Sequence, residues 1–417
     1  MSTPNCAARG MAETLVLGAG IVGVCTALAL QVRGHAVTLI DRKAPGQETS
    51  FGNACIIQSE AVEPYPMPLA PRALWAIATG RGNDVRWSLR GLMAQAGPLI
   101  GYARHSRPAA HARAIAVYRR LIPDACKAHA PLIRAAGADD LIRRDGYLEL
   151  FRSAQGFDGG QVMAARFRDR YGVGARVLDG AELRALEPSV TADLPGAVHW
   201  TDSWTVTDPA QLTARYAGAL TSRGGRILQG DAMALHRVGA AWRLEGPTPV
   251  QAEHAVVAMG PWSAPMVARY GLRVPLLLKR GYHRHLRPER MPHRPLADLE
   301  NGIVLSPTRD GLRLCSGADL SARPAADPVQ LRVGMRAASE LLGPMSAAAG
   351  PIWTGRRPCM PDMLPVVGAV PGQPGLWAQF GHGHHGLTLA AVTADILADQ
   401  MDGGETWPEL SPARLMG

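Results

Sequence analysis

A strand, glycine turn, helix and strand at the start of the chain constrain its fold more than any other feature. Residues 14–17 are a short apolar run typical of a buried strand, and the glycine-rich stretch GAGIVG at 18–23 opens an apolar segment of helical length. A second apolar run, at 36–40, ends at Asp41. This order and spacing predict a βαβ unit with parallel strands.

The three glycines of this turn are those that a dinucleotide-binding loop requires. Gly18 permits a tight turn, Gly20 lets a pyrophosphate approach the backbone, and Gly23 lets the helix pack close to the sheet. The helix N-terminus favours phosphate, and the carboxylate of Asp41 can accept hydrogen bonds from ribose hydroxyls. A glycine turn without a ligand is the alternative, and the motif alone leaves FAD and NAD(P) open. The predicted cofactor-binding residues here are Gly18, Gly20, Ile21, Val22, Gly23, Asp41 and Arg42.

A second glycine pattern stands near the end of the chain, in QFGHGHHGLT at 379–388. Gly381, Gly383 and Gly386 lie between a predicted strand at 376–380 and a predicted amphipathic helix at 387–401. One dinucleotide does not need two pyrophosphate cradles. A reduced flavin, however, carries negative charge on its ring, and a helix N-terminus would stabilise that charge. The second turn therefore favours FAD.

The three histidines of this stretch invite a metal-site interpretation, which their spacing does not support. His382, His384 and His385 are two and one positions apart, without a neighbouring carboxylate or cysteine. A helical zinc pair would need histidines four residues apart. We therefore predict no metal. His384 is predicted to line the flavin or substrate pocket, whereas His385 is either packed or exposed.

Charge and cysteine content limit the partners and the compartment. The net charge of +9 comes from 44 Lys and Arg against 35 Asp and Glu and is spread along the chain, so we expect no nucleic-acid partner. An anionic cofactor, a carboxylate substrate or a membrane surface fits this charge better. The six cysteines form no CxxC pair, which favours a reducing, cytoplasmic setting. Residues 1–10 are interpreted as an extension before a start at Met11, or as a disordered tail.

The rest of the chain alternates helical and strand-like segments. Helices are predicted at 111–136, 208–223 and 328–342, and strands at 146–151, 226–228, 254–258, 302–305 and 312–315. Residues 60–108, rich in proline and tryptophan, are predicted to be irregular. The stretch 65–100, which includes Leu74, Trp75 and Trp87, is interpreted as a membrane-touching surface, a lid over the active site, or interdomain packing.

Six segments together resemble one known family. They are GAGIVG at 18–23, ETSFGNACII at 48–57, VVAMGPWS at 256–263, KRGYH at 279–283, GRRPCMPDMLPVVG at 355–368 and GHGHHGLT at 381–388. The chain resembles the FAD-dependent D-amino acid oxidase/dehydrogenase (DAO) family over residues 13 to about 400, most closely its bacterial D-amino acid dehydrogenase branch.

This resemblance implies an α/β fold with a Rossmann-type FAD-binding domain and a second, antiparallel-sheet substrate domain. We expect the FAD-binding domain to be discontinuous, over residues 11–95, 165–265 and 350–417, with the substrate domain over 96–164 and 266–349.

The resemblance also assigns roles to individual residues. Residues 49–55 would wrap the flavin ring, and the backbone of Met233 would hold adenine. Cys55 replaces the last glycine of the usual GNAG, which would put a thiol near ring N5, either as a neutral replacement or as a change of access. The further cofactor-binding residues implied are Thr49, Ser50, Gly52, Asn53, Ala54, Cys55, Met233, Gly260, Trp262, Arg357, Gly381, Gly383, His384, Gly386, Leu387 and Thr388.

The implied catalytic residues are Arg357, Tyr282 and His384. Arg357 would bind the substrate carboxylate, with Arg280 and Arg313 as rivals, and Tyr282 would lie over the substrate. The implied reaction is oxidative deamination of a D-amino acid, or of a D-imino acid such as a hydroxyproline, by hydride transfer from Cα to flavin N5. Oxidation of a secondary amine such as sarcosine, and a flavin-carrying subunit of an electron-relay complex, are the alternatives.

The implied partners are the amino acid substrate and an electron acceptor, which is a quinone, a carrier or oxygen. Contact with the cytoplasmic side of a membrane is a further possibility that the composition of residues 65–100 raises. The particular substrate, the acceptor and the oligomeric state are left open.

Overall fold

A computed structural model describes residues 13–416 of the protein, and the interpretations made for residues 1–10 lie outside the described residues. The helices are α1 (Ile21–Val32), α2 (Pro71–Ala78), α3 (Leu89–Ala94), α4 (Ala96–His105), α5 (Pro108–Leu121), α6 (Ala125–Ala135), α7 (Ala154–Tyr171), α8 (Gly180–Leu186), α9 (Pro209–Ser222), α10 (Ser263–Ala268), α11 (Val329–Leu342) and α12 (Gly386–Met401).

The strands are short, and most belong to one of two large sheets. They are β1 (Glu13–Leu17), β2 (Ala36–Asp41), β3 (Ile56–Ile57), β4 (Val85–Trp87), β5 (Ile142–Arg143), β6 (Tyr147–Phe151), β7 (Ala175–Asp179), β8 (Gly196–Trp200), β9 (Trp204–Val206), β10 (Arg226–Gln229), β11 (Leu235–Val238), β12 (Ala241–Leu244), β13 (Val250–Ala252), β14 (His254–Val257), β15 (Leu277–Pro288), β16 (Leu296–Asp298), β17 (Ile303–Thr308), β18 (Gly311–Ser316), β19 (Ala318–Leu320), β20 (Met345–Ala347), β21 (Trp353–Cys359), β22 (Val366–Ala369) and β23 (Leu376–Phe380).

The first large sheet has six strands in the order β10-β2-β1-β14-β23-β22. Its first five strands are parallel, and β22 runs antiparallel to β23. Helix α1 connects β1 to β2 and packs against α9 and α12, so nearly all of its residues are buried. The βαβ unit expected from residues 14–41 is therefore present. The carboxyl ends of such parallel strands are where ligands bind in open α/β sheets.

The second large sheet has eleven strands and is mostly antiparallel. Its long strand β15 pairs with β18, β19, β20 and β21. On the far side of the sheet, β16 pairs with β6, which pairs with β8, and β8 pairs with β7. Helix α11 packs on one face, where leucines of β17, β18 and α11 form a core. The predicted fold class, an α/β fold that combines a Rossmann-type parallel sheet with a second, antiparallel sheet, is confirmed.

Two segments differ from the sequence-based expectation. Residues 60–108 contain α2, α3 and α4 and the strand β4, although they were expected to be irregular. The helix expected over 111–136 is divided into α5 and α6 by a 3₁₀ turn at Ile122–Asp124, where Pro123 lacks the N–H that a continuous helix would need. Within residues 13–416, no helix is both long and apolar enough to cross a membrane.

The predicted domain boundaries stay a prediction, and one of them does not coincide with the change of sheet. Strands β7 and β8 lie between residues 175 and 200, which were assigned to the FAD-binding domain, yet they pair with β6 in the eleven-stranded sheet. Sheet membership instead changes near α9, which leads into β10 of the six-stranded sheet.

Candidate active site

A cavity of about 1110 Å³ is lined by residues of both large sheets. Gly20 and Ile21 at the start of α1 lie on its wall, and so do Gly386 and Leu387 at the start of α12. The two glycine turns, at opposite ends of the chain, therefore border one cavity. Both helix N-termini carry partial positive charge, so both ends of the cavity favour negative charge.

The glycine turn before α1 is held by side chains from the segments that follow it. Gly18 has φ +107°, and a Cβ there would lie 2.5 Å from the carbonyl oxygen of Ala258. Asp41 accepts a hydrogen bond from the backbone N–H of Ala19 at 2.7 Å, and Ser50 Oγ accepts one from the N–H of Ile21 at 2.9 Å. Only glycine fits at position 18, and the turn keeps its backbone close to the cavity.

The predicted flavin-wrapping segment lies on the cavity wall except at its last residue. Thr49, Ser50, Gly52, Asn53 and Ala54 all line the cavity. Cys55 is buried behind the wall, with φ 65°, and its thiol lies 3.7 Å from an Nη of Arg313. Cys55 is thus not among the residues that line the cavity, and the placement of its thiol near ring N5 stays a prediction that this position does not favour.

Most of the remaining predicted cofactor-binding residues line the cavity, and two of them do not. Gly23 and Thr388 lie behind the wall: a Cβ at Gly23 would overlap the carbonyl oxygen of Gly18, and Thr388 Oγ1 accepts a hydrogen bond from the N–H of Gln58 at 3.1 Å. These two residues pack the helices rather than border the cavity. The predicted residues that line it here are Val22, Asp41, Arg42, Met233, Gly260, Trp262, Gly381 and Gly383.

The three histidines before α12 have separate environments. His382 Nε2 lies 3.0 Å from Thr393 Oγ1, and His385 Nδ1 lies 3.3 Å from the hydroxyl of Tyr118. Burial lowers the pKa of His382 to about 3 and that of His385 to about 4. His385 is thus packed, one of its two expected environments. Among residues 13–416, no group of His, Cys, Asp and Glu side chains is placed to hold a metal ion.

His382 and His384 both line the cavity, and His384 is the one whose side chain is exposed there. The protein atoms around the cavity still shield His384 from bulk water, and this desolvation holds its pKa well below the ordinary value, with smaller contributions from His385 and from the cations of Lys279 and Arg357. It is therefore neutral at pH 7, and its ring lies beside that of Tyr65, with centroids 5.2 Å apart.

Of the three candidate arginines, only Arg357 lines the cavity. Its Nη1 donates to the carbonyl oxygen of Gly317 and its Nη2 to that of Ser316, both at 3.1 Å. These bonds fix the guanidinium and leave further N–H donors free. Burial lowers the pKa of Arg357, but an arginine stays protonated at any physiological pH.

The two rival arginines are bound elsewhere. Arg280 pairs with Asp319 at 3.2 Å, and Arg313 donates to the carbonyl oxygen of Phe51 at 2.8 Å. Tyr282 borders the cavity, but its hydroxyl donates to Asp319 at 2.6 Å and accepts from the N–H of Ala325 at 3.0 Å. Its side chain is only 3% exposed and belongs to the leucine-rich core of the eleven-stranded sheet, so its predicted position over the substrate stays a prediction.

Several residues of the wall were not predicted. They include Lys279, Tyr65, Tyr102, Trp353 and Gln58. Lys279 stands in the KRGYH segment that carried the family resemblance, and Lys279 and Gly281 face the cavity while the side chains of Arg280 and Tyr282 both bond Asp319 on the other face of the strand. This alternation is the signal that could have identified Lys279, because successive side chains of a strand point to opposite faces.

Comparison with known proteins finds relatives that match nearly the whole chain. A family model described as FAD dependent oxidoreductase (DAO) matches residues 13–400. The D-amino-acid oxidase of Bradyrhizobium diazoefficiens is 30% identical over 417 residues, covering 95% of this chain and 96% of that protein. The D-amino acid dehydrogenase of Cereibacter sphaeroides is 32% identical over 422 residues, covering 96% and 94%. Among solved structures, the glycine oxidase of Geobacillus kaustophilus superposes with a TM-score of 0.72 at 21% identity, covering 98% of this chain and 100% of that one.

Proposed function

Because the chain belongs to the DAO family of FAD-dependent oxidoreductases, we propose that it oxidises the CH–NH bond of a D-amino acid, or of a D-imino acid such as a hydroxyproline. The observation that carries this proposal is the shared cavity, because the start of α1, the start of α12 and Arg357 all border it. The imino acid product hydrolyses in water to a keto acid and ammonia, unless it is cyclic.

The residues at the start of α1 fit the pyrophosphate and ribose of FAD. The close approach of backbone at Gly18 and Gly20 forms a cradle, because a Cβ at Gly20 would already lie 3.1 Å from Ser50 Oγ. Asp41 keeps lone pairs free after bonding the N–H groups of Ala19 and Lys43, so it can accept from ribose hydroxyls. When bound, FAD supplies the hydride acceptor.

Arg357 would orient the substrate. A guanidinium fixed by two backbone carbonyls presents a rigid fork to a carboxylate, and a two-pronged pair fixes the direction of the Cα–H bond. The neutral ring of His384 limits the space around this position, since it lines the cavity. The protein's contribution is then chiefly orientation of the substrate.

Anaerobic reduction of the purified protein tests this proposal. The FAD-loaded chain should be yellow and should bleach when D-amino acids are added without oxygen. Bleaching by sarcosine, but not by D-amino acids, would favour secondary-amine oxidation instead, and bleaching by glycine alone would favour a glycine-type substrate. A yellow protein that no amino or imino acid bleaches would favour a flavin-carrying electron-relay subunit and contradict the proposal.

We further propose that electrons leave to a quinone, a soluble carrier or oxygen at the edge of the protein formed by residues 65–107. Eight large hydrophobic side chains are exposed there, and we call them the apolar face: Tyr65, Leu69, Leu74, Trp75, Trp87, Leu89, Met93 and Ile100. Tyr65, Leu74 and Ile100 also line the cavity, so the cavity reaches this face. Of the three interpretations of this stretch, packing between domains is the least compatible with such exposure.

The charge around the apolar face favours an anionic bilayer as its occupant. Residues 65–107 contain six arginines and a single acid, Asp84. Arg81 lies over the ring of Trp75 with its guanidinium carbon 3.9 Å from the centroid. Exposed tryptophan and leucine flanked by arginine is the combination that binds membrane interfaces. The cytoplasmic side of a membrane is accordingly our proposed location.

A further inference from the structure

Lys279 and Arg357 place two cations on one wall of the cavity. They are direct register partners on the antiparallel strands β15 and β21, and both line the cavity. Residues directly opposite each other on such strands have Cβ atoms about 5 Å apart and point to the same face. The two positive charges therefore belong to one binding surface.

The side chains of Lys279 and Arg357 contact different residues. The ammonium of Lys279 lies 4.0 Å from the ring centroid of Tyr102 on α4. The guanidinium of Arg357 lies beside Gly281, where a Cβ would be 2.7 Å from Nη2, and is bonded to the carbonyl oxygen of Gly317. One wall thus offers two separate points for negative charge.

Lys279 has no carboxylate within 4.0 Å of Nζ among residues 13–416. Its neighbour Arg280 differs in this respect, because it pairs with Asp319. The carboxylates on the cavity wall are Asp41, Glu48, Asp84 and Asp231. Asp41 and Glu48 border the α1 end, where they bond Ala19 and Arg42. The cation of Lys279 is therefore left for a ligand.

We propose that Lys279 binds a second carboxylate of the substrate, so that acidic D-amino acids such as D-glutamate and D-aspartate are the preferred substrates. This proposal rests on the proposed function of the cavity. Arg357 binds the α-carboxylate, and Lys279 binds the side-chain carboxylate at the Tyr102 side. Tyr65 and Tyr102 enclose that side, since the Tyr102 hydroxyl donates to the carbonyl oxygen of Tyr65 at 2.6 Å.

Two like charges on neighbouring strands repel each other, and a ligand with two anionic groups relieves this repulsion at both points. A neutral side chain of the same size would leave Lys279 without a partner in a partly enclosed site. The discrimination between D-glutamate and D-glutamine, which differ by one charge and little in shape, therefore measures the contribution of Lys279.

The experiment compares kcat/KM for D-glutamate and D-glutamine in the FAD-loaded protein and in Lys279→Met. We expect the natural protein to favour D-glutamate by about 10–100-fold and Lys279→Met to bring the ratio close to one. The ratio is taken within each protein, so partial loss of folded enzyme cancels. Lys127→Met is the matched control, because Lys127 is exposed, pairs with Asp124 and lies outside the cavity wall.

Two results would overturn this proposal. A ratio near one in the natural protein would show that no second carboxylate is recognised. If Lys279→Met lowers kcat/KM equally for D-glutamate and D-glutamine, so that their ratio is unchanged, Lys279 and Arg357 bind one and the same carboxylate.

Binding of glutarate and butyrate separates failure of the second-carboxylate site from failure of the proposed function. The two acids are titrated into the yellow protein, and the change in flavin absorbance reports binding without any turnover. Glutarate should bind about tenfold more tightly than butyrate, and Lys279→Met should remove this difference. If no D-amino acid reduces the flavin yet this difference is found, the proposed function fails and the second-carboxylate site stands. If D-amino acids reduce the flavin but glutarate and butyrate bind equally, the second-carboxylate site fails and the proposed function stands.

Discussion

Ser50 Oγ accepts a hydrogen bond from the backbone N–H of Ile21 at 2.9 Å, which joins the predicted flavin-wrapping segment to the first residue of α1. The bond connects two segments of the cavity wall that are 29 positions apart in sequence. It satisfies one of the N–H groups that a helix start leaves without an intrahelical partner. The position of the segment around Ser50 is therefore coupled to the position of the glycine turn.

Replacing Ser50 with alanine should weaken FAD binding. Loss of this acceptor should lower the free energy of unfolding by about 1 kcal/mol and FAD affinity by roughly fivefold, because the two segments lose their connection. Fluorescence titration of FAD measures the affinity. Ser411→Ala is the control: Ser411 accepts from the N–H of Ala413 far from the cavity wall, so it should affect stability alone. Equal FAD affinity in both variants would contradict the coupling.

Replacing Arg357 with alanine should abolish most substrate binding while leaving FAD bound. Removing one partner of a buried charged pair costs about 3–5 kcal/mol, so substrate affinity should fall by at least 100-fold. Arg357→Lys should recover part of it, because the charge remains without the two-pronged geometry. Rapid-reaction measurement of flavin reduction gives the affinity. Arg356, its exposed neighbour on β21, provides the control Arg356→Ala, and similar losses in both variants would rule out the assignment.

The buried carboxyl group of Glu149 should make stability depend on pH. Burial raises its pKa from 4.5 to about 7, against a weaker opposing hydrogen bond from Trp200. A raised carboxyl pKa favours the folded state below the unfolded pKa, and this stability is lost as the pH rises through the folded value. From pH 5 to pH 8, the loss should approach roughly 3 kcal/mol.

Glu149→Gln should therefore gain stability relative to the natural protein as the pH is raised from 5 to 8. Urea unfolding at several pH values measures the difference between the two proteins, and contributions from other buried groups cancel in it. A constant difference for Glu149→Gln would mean that its pKa is not raised.

The apolar face should bind anionic vesicles. We expect the protein to sediment with vesicles of phosphatidylglycerol and phosphatidylcholine, less with phosphatidylcholine alone, and less at high salt, because each arginine near the surface contributes about 1 kcal/mol. The double variant Leu89→Gln and Met93→Gln should bind several-fold more weakly. Val162 on α7 is as exposed as these two, at 70%, so Val162→Gln is the matched control. If Val162→Gln reduces vesicle binding as much as the double variant does, the apolar face is not the surface that binds the membrane.

The parts of the fold that sequence patterns predicted are those in which local signals agree. The βαβ unit has an apolar strand, a glycine turn and a terminal Asp41, each of which indicates the same structure on its own. The start of α12 was predicted for the same reason, since a strand and a long helix flank the glycines at 381–386. Such agreement needs no knowledge of the rest of the chain.

Helices α2, α3 and α4 were missed because each has ten residues or fewer and buries at most one of them, so none shows a clear helical pattern of buried apolar residues. Helices α2 and α3 have eight and six residues, and α2 has no buried residue. Helices this short are marginal by themselves. Proline at 64, 66, 68 and 71 suggested an irregular chain, but Pro71 in fact occupies the first turn of α2, where its missing N–H has no cost.

The site was less predictable than the fold because it depends on which face of each strand meets the cavity. Cys55 was expected near the flavin, yet it is buried and is not among the residues that line the cavity, a position that the sequence does not reveal. Lys279 was passed over in favour of its neighbours Arg280 and Tyr282, because the pairing of β15 with β21 and the position of Tyr102 are long-range facts.

The central claim is that the helix starts of α1 and α12 hold opposite parts of one FAD molecule. A crystal structure of the FAD-loaded protein tests it most directly. We predict the pyrophosphate at the N–H groups of Gly20 and Val22, on either side of the N–H that Ser50 accepts, and the flavin ring at those of Gly386 and Leu387, with donor–acceptor distances of about 2.9 Å. A flavin ring bound away from the turn at 381–386, or a preparation that holds no FAD, would contradict the account.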